Sequence, residues 1–510
     1  MPTPRQLWDK NHETILAKIK NNDETFTRLN IIYHNTYVKE GSLHYYAVMW
    51  YIRKHPNVFE EALRTNIRIS SMKVKIANEF SDDYNPDIDY QYYYRGPNQA
   101  LARAMGAIKY LRHLTIDGQY AFAEEEEYRD DILMDIYVQN VRQISKLHFV
   151  LGNECNQVQA HALDQALMNH PNLEVFELKM VEWLDHLPFP FTTSLQTLPK
   201  LRKICVSSET DIRNVIHYPR ISLPTLSGFP SLGHVPTLRE ITCTLVELDR
   251  PSAISFTRTI ENNPNLVSLD VTAPPEVLFF TNTAKAAKRK LATLKLHVFR
   301  NMEYPEDGGG YFLEDARSAT FALGLSHLLA NMHFFGNLKV LSIIDARWEA
   351  SQLGQFQRML GEIPCLECLS IRFRDRFNGD VYLSLAMGIG RNSTLKELDL
   401  DWWELQDCSD CALSPEEFHR GNSELVKCST LTSYKFLGTW EGYNCCGVVC
   451  DLISLLGVHS SFQKLESQGG NCFHSGEMSK VVDMMQTNYC LTYINMNMNF
   501  CNYFKEFNAE

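Results

Sequence analysis

The 510-residue chain carries a net charge of −12 at pH 7, with 45% hydrophobic and 22% charged residues. That balance excludes disorder as the default state and, lacking a basic excess, argues against a protein that binds nucleic acid by neutralising phosphates. No apolar run approaches the ~18 residues of a membrane span, the opening MPTPRQLWDKNHETILAKIK lacks the apolar core of a secretory signal, and the 14 cysteines therefore read as reduced thiols in a cytoplasmic or nuclear protein without a membrane partner.

Residues 1–106 are expected to form a helical cap with degenerate repeats. Leu7, Trp8, Ile15, Leu16 and Ile19 fall at helical spacing, and a stack of repeats needs a cap because its terminal apolar face has no neighbour. Phe26 opens a strand pattern, Arg64-x-x-Ile67-x-Ile69 is a degenerate candidate for another, and NEFSDDYNPDIDYQYYYRGPN reads as an acidic, tyrosine-rich loop.

From 107 to 510 one template, L-x-x-L-x-L, recurs. It starts at Leu111, Ile144, Leu173, Leu201, Leu238 and Leu266, and again at Leu291, Leu338, Leu366, Leu395, Leu431, Phe462 and Leu491. The basic interval is 28 to 29 residues, with insertions such as FRNMEYPEDGGGYFLEDARS. With each start counted as position 0, positions 0, 3 and 5 are apolar except at Ser467, whereas position 4 is never a large apolar residue. That contrast predicts strands with one buried face.

Segments between strands, including HALDQALMNH, QFQRMLGEI and DVYLSLAMGIG, place apolar residues three or four apart and predict helices. Pro171, Pro199, Pro236, Pro264 and Pro364 each stand two residues before a strand start. Proline lacks the N–H that would extend a helix and holds its predecessor out of the helical region, so Asn-Pro-Asn-Leu is a helix stop that leads into the next strand.

These units resemble the leucine-rich repeat superfamily, in particular its ribonuclease-inhibitor-like repeats of 28–29 residues. The resemblance implies an α/β solenoid, a horseshoe with a parallel concave sheet and convex helices. The family's turning Asn or Cys eight residues after the strand start is matched here only by Asn499.

Catalytic signatures are absent: there is no H-E-x-x-H, no G-x-S-x-G and no kinase-like set, and Gly308 to Gly310 lack the Lys-Ser/Thr of a phosphate loop. Cys408, Cys411, His419, Cys428, Cys445, Cys446 and Cys450 have donor types that zinc accepts. Read instead as small buried hydrophobes, they call for no metal, and no cofactor is expected. The sequon Asn392-Ser-Thr is expected to be silent.

Binding features are richer. Positions 2, 4 and 6 of each unit point away from the buried side, which sets the row Cys368, Ser370 and Arg372, extended by Arg374 and Arg376, beside the row Glu397, Asp399 and Asp401. Trp348, Trp402, Trp403 and Trp440 follow the strand starts at Leu338, Leu395 and Leu431, and tryptophan and arginine are enriched at interface hot spots. The expectation is a non-enzymatic scaffold whose protein partner meets Arg372, Arg374, Glu397, Asp399, Asp401 and these tryptophans. Two alternatives come from the resemblance alone: the substrate-recognition subunit of a ubiquitin ligase, although the Leu-Pro opening of an F-box is missing, and a small-GTPase regulator like the repeat protein that acts on Ran.

Overall fold

The computed structural model describes residues 13–33, 56–76, 99–118, 138, 141–151, 157–180, 191, 193–208, 225–226, 232–244, 247–248, 250–273, 290–298, 335–346, 350–373, 379–401, 415–437, 461–468, 486 and 490–497. The chain divides into two units, Met1–Asn265 and Leu266–Glu510.

In the first unit a helical stretch at 13–20 buries Ile15, Leu16 and Ile19, as their spacing predicts. Seven parallel strands follow in spatial order β1 (Arg28–Tyr33), β2 (Ser71–Ile76), β3 (His113–Gly118), β4 (Lys146–Leu151), β5 (Val175–Met180), β6 (Lys203–Ser208) and β8 (Glu240–Thr244). A small separate pair joins β7 (Thr225–Leu226) to β9 (Glu247–Leu248). The helices of this unit are α1 (Pro56–Thr65), α2 (Gln99–Ala107), α3 (Gln157–Leu167), α4 (Ser194–Thr197) and α5 (Arg250–Asn262).

The second unit has eight parallel strands in chain order: β10 (Ser268–Ala273), β11 (Thr293–Val298), β12 (Val340–Ala346), β13 (Cys368–Phe373), β14 (Glu397–Asp401), β15 (Ser433–Leu437), β16 (Lys464–Gln468) and β17 (Tyr493–Asn497). Its helices α6 (Ala350–Glu362), α7 (Gly379–Arg391) and α8 (Pro415–Leu425) pack side by side. Parallel neighbours demand a crossover connection, so the strand-helix alternation of the sequence and the all-parallel order of each unit are one fact. This is an α/β architecture compatible with a repeat solenoid.

The buried face follows the template. Leu366, Leu369 and Ile371 on one repeat, and Leu395, Leu398 and Leu400 on the next, are 0–1% exposed. Burying each such side chain contributes about 2 kcal/mol from apolar area alone. In the first unit Phe149 and Phe176 meet Phe191, with ring centroids 5.7 and 4.8 Å from it.

One strand start differs from expectation. The repeat near residue 67 does not begin at Arg64, because Ile67 is 54% exposed; it begins at Ile69, with Ile69, Met72 and Val74 all at 0–1%. The interval from Phe26 to Leu111 is thus divided at Ile69 into 43 and 42 residues rather than three standard periods. The reason is physical: Met72 fills a leucine position because the core asks for apolar volume, not branching.

Backbone hydrogen bonds show why the units stack. In unit after unit, the carbonyl one residue past a strand start accepts two N–H groups from the next repeat: Glu174 and Val175 onto Ser145, or Lys396 and Glu397 onto Glu367. At several starts the N–H closes a turn onto the carbonyl three residues earlier, as in Leu173 to His170 and Leu431 to Cys428. Hydroxyls at the preceding position reach the last repeat's start, Thr394 Oγ1 donating to Leu366 O at 2.9 Å and Thr430 Oγ1 to Leu395 O at 2.8 Å.

At three starts a buried asparagine three residues earlier does the turning. Asn392, 3% exposed, donates to Leu360 O at 2.6 Å and accepts from the N–H groups of Thr394 and Leu395 at 2.9 and 2.8 Å. Asn66 repeats the pattern with Ile19 O, Arg68 N and Ile69 N, and Asn263 uses Thr259 O and Val235 N. A glycan on Asn392 would break these bonds, so the sequon is blocked by the fold itself.

Helix ends are marked in the sequence. Asp380 sits in the first turn of α7 and Arg391 in its last, while α8 begins with Pro415 followed by Glu416 and Glu417, each charge complementing the helix dipole. Glycines set the helix spacing: a Cβ on Gly421 would lie 2.4 Å from the Tyr382 ring, and one on Gly390 would lie 2.2 Å from Glu424 O. Among the described residues no helix is long and apolar enough to cross a membrane.

Candidate functional site

Because side chains alternate across a strand, the residues at positions 2, 4 and 6 form columns on the side of each sheet away from its buried face. In the second unit the fourth-position column runs Asp270, Lys295, Ser342, Ser370, Asp399, Lys435, Glu466, Asn495, each paired in register with the next. Parallel pairing that keeps position 4 in register, with one shift between β12 and β13 beyond Ile343, is what converts a sequence repeat into a two-dimensional pattern of polar groups.

The two rows singled out from the sequence are neighbours. Cys368 pairs with Glu397, Ser370 with Asp399 and Arg372 with Asp401. Arg372 Nε donates to Asp401 Oδ2 at 2.7 Å across the strands, and their side chains are 38% and 10% exposed. Arg372 is part-exposed and Asp401 buried; with one partner open to solvent the pair is worth about 1 kcal/mol, so it orients both groups more than it stabilises the fold.

Asp399 lies between charges of both signs. Burial raises its pKa above the ordinary carboxylate range; Lys435 and Arg372 pull it back, while Asp401 and Glu466 add to the rise. Its Oδ1 is buried, with no hydrogen-bond partner among the described residues. Beside it, burial first and Glu397 second push the Cys368 thiol up to about 11, so this cysteine is a poor nucleophile and a poor metal ligand at neutral pH.

Cys428 is buried, and its thiol donates to Asn392 O at 3.3 Å. That is the behaviour of a core residue. Among the described residues no group of three or more His, Cys, Asp or Glu is placed to hold a metal ion. Cys408, Cys411, Cys445, Cys446 and Cys450 lie outside the described residues, as do Arg374, Arg376, Trp348, Trp402, Trp403 and Trp440.

Three groups on this face were not singled out by the sequence reading. Lys435 and Glu466 continue the Asp399 column, and His297 Nε2 lies 2.9 Å from Asp270 Oδ1, with Lys295 Nζ 3.8 Å from the other oxygen. The signal that finds them is the same counting rule carried to every unit, since they occupy positions 4 and 6.

No family model matches the chain, and no curated protein matches it. Among solved structures, leiomodin-1 actin-binding site 2 is similar at 15% identity and a TM-score of 0.23, over 28% of this chain and 77% of that one. A likeness at that level carries no functional assignment.

Proposed function

We propose that the chain is a leucine-rich repeat protein without catalytic activity of its own, which holds a protein partner on the outward sheet face of the second unit and the loops that follow it. The observation that carries this reading is the adjacent pair of rows on β13 and β14, where Arg372, Glu397, Asp399 and Asp401 present both charge signs on a rigid, register-locked surface. A carboxylate already raised by burial, as Asp399 is, gains most from a partner's Lys or Arg placed over it. Trp348, Trp402, Trp403 and Trp440 belong to the same proposal through their positions after the strand starts at Leu338, Leu395 and Leu431.

Affinity purification of the tagged full chain, with mass spectrometry, tests it. Wild type is set beside the triple variant Arg372→Ala, Asp399→Asn, Trp403→Ala. A partner depleted at least tenfold from the variant, with the melting temperature retained, supports the proposal; an unchanged partner set refutes the site.

A further inference from the structure

The first unit carries its own outward columns, and their charge is opposite in sense to that of the whole chain. Its fourth-position column runs Asn30, Lys73, Thr115, His148, Glu177, Cys205, Thr242 in register. At positions 2, 4 and 6 of this face stand the cations Arg28, Lys73, Lys146, Lys179 and Lys203. The anions there are Asp117, Glu177 and Glu240. A chain of net charge −12 thus turns a basic surface outward here.

Three of the five cations, Lys73, Lys146 and Lys179, stand on β2, β4 and β5 against the two anions Asp117 and Glu177, while Lys203 pairs with Glu240 at 3.5 Å. Lys73 Nζ lies 2.9 Å from Asp117, and Lys146 Nζ lies 2.8 Å from Glu177, yet those lysines remain 45% and 39% exposed. His148 sits between them on β4, close enough that Lys146, Lys179 and Lys73 all disfavour its charged form, after burial and against Glu177. Three strands, β2, β4 and β5, therefore aim ammonium groups around one imidazole.

From this juxtaposition we infer that the outward face of β2 to β5 is a second binding surface, which takes an acidic, extended peptide segment of a protein partner. The occupant follows from charge complementarity, since carboxylates lying over Lys73, Lys146 and Lys179 would meet fields already directed outward. Strands are about 4.8 Å apart, so β2 and β4 run about 10 Å apart, and because Lys73 is in register with His148, two residues beyond Lys146, an extended segment meets both lysines on a diagonal. A peptide fits better than a nucleic-acid strand. The carboxylates of Asp117 and Glu177 interrupt the basic field that a continuous phosphate backbone needs, and no Phe, Tyr or Trp at the described outward positions of β2 to β5 offers a platform for base stacking.

The test is fluorescence anisotropy of the full chain with three labelled probes: a twelve-residue peptide alternating Glu and Ser, a neutral Gln-Ser peptide, and a twelve-nucleotide oligouridylate. The variants are Lys146→Glu with Lys179→Glu, and the milder Lys146→Gln with Lys179→Gln in case charge reversal disturbs folding. Lys427→Gln in the other unit, at a lysine 59% exposed and outside both faces, is the control. Saturable binding of the acidic peptide alone, weakened about tenfold by either lysine pair and by raising salt to 300 mM, with Lys427→Gln unchanged, supports the inference. It is overturned by no saturable acidic-peptide binding, by equal binding in folded lysine variants, or by oligouridylate binding as tightly. None of these outcomes bears on the partner proposed for Arg372 and Asp399.

Discussion

The two units use one backbone rule to present different surfaces. On the first, lysines from β2, β4 and β5 surround His148; on the second, the carboxylates of β14 flank the single guanidinium of Arg372. Positions 0, 3 and 5 carry apolar side chains in both, Ser467 apart, whereas positions 2, 4 and 6 differ between them. The lesson is that the hydrophobic columns specify the fold and leave the outward columns free to differ, so recognition chemistry must be sought in what the repeat does not conserve.

The largest expected effect strikes what the units share. Leu398→Ala and Leu147→Ala remove side chains that are 1% and 0% exposed, and each should cost about 3 kcal/mol in denaturant unfolding. A cost well below 1 kcal/mol at either site would show that unit's core to be loosely packed.

Acid stability separates the units next. His170 is 0% exposed, and its pKa is lowered to about 4, first by burial, with the Val138 backbone opposing and Arg142 assisting. Below the ordinary histidine pKa of 6.5 the unfolded chain takes up this proton before the folded chain does. The first unit should therefore lose stability progressively from pH 6.5 to about 4, by about 3 kcal/mol in full. His148, lowered first by burial, adds in the same direction. His170→Asn installs the residue that Asn66, Asn263 and Asn392 place in the same column, and should flatten the acid limb measured by thermal melts at pH 7 and pH 4.5. An acid limb as steep as wild type would contradict the assignment.

In the second unit Gly421→Ala should cost about 2 kcal/mol, because its Cβ would meet the Tyr382 ring at 2.4 Å. Smallest of all, Arg372→Ala should shift stability by at most about 1 kcal/mol. A larger loss would mean that the Arg372–Asp401 pair holds the fold rather than serving its surface.

The fold was legible because a strand's period of two and a helix's of 3.6 leave different marks, and because fourteen near-copies make the marks add. Ile69 escaped because its unit uses Met72 and lies 43 residues from its predecessor. The turning asparagines escaped for another reason: Asn392 bonds Leu360 O from 32 residues away, a partner that only stacking reveals. Of the candidate site, the neighbourhood of Arg372 and Asp401 could be read from counting alone, since unbroken register follows from equal positions. The rise in the Asp399 pKa could not, because it depends on how deeply position 4 sits between Lys435, Arg372 and Glu466.

The most direct test of the partner surface is a charge swap. Exchanging Arg372→Asp with Asp401→Arg keeps the cross-strand ion pair but reverses its direction, which separates recognition from stability. Quantitative affinity capture with the swapped full chain should then show a melting temperature near that of wild type and the specific partner depleted at least tenfold. Full retention of that partner by the swapped chain would contradict the claim that these rows recognise it.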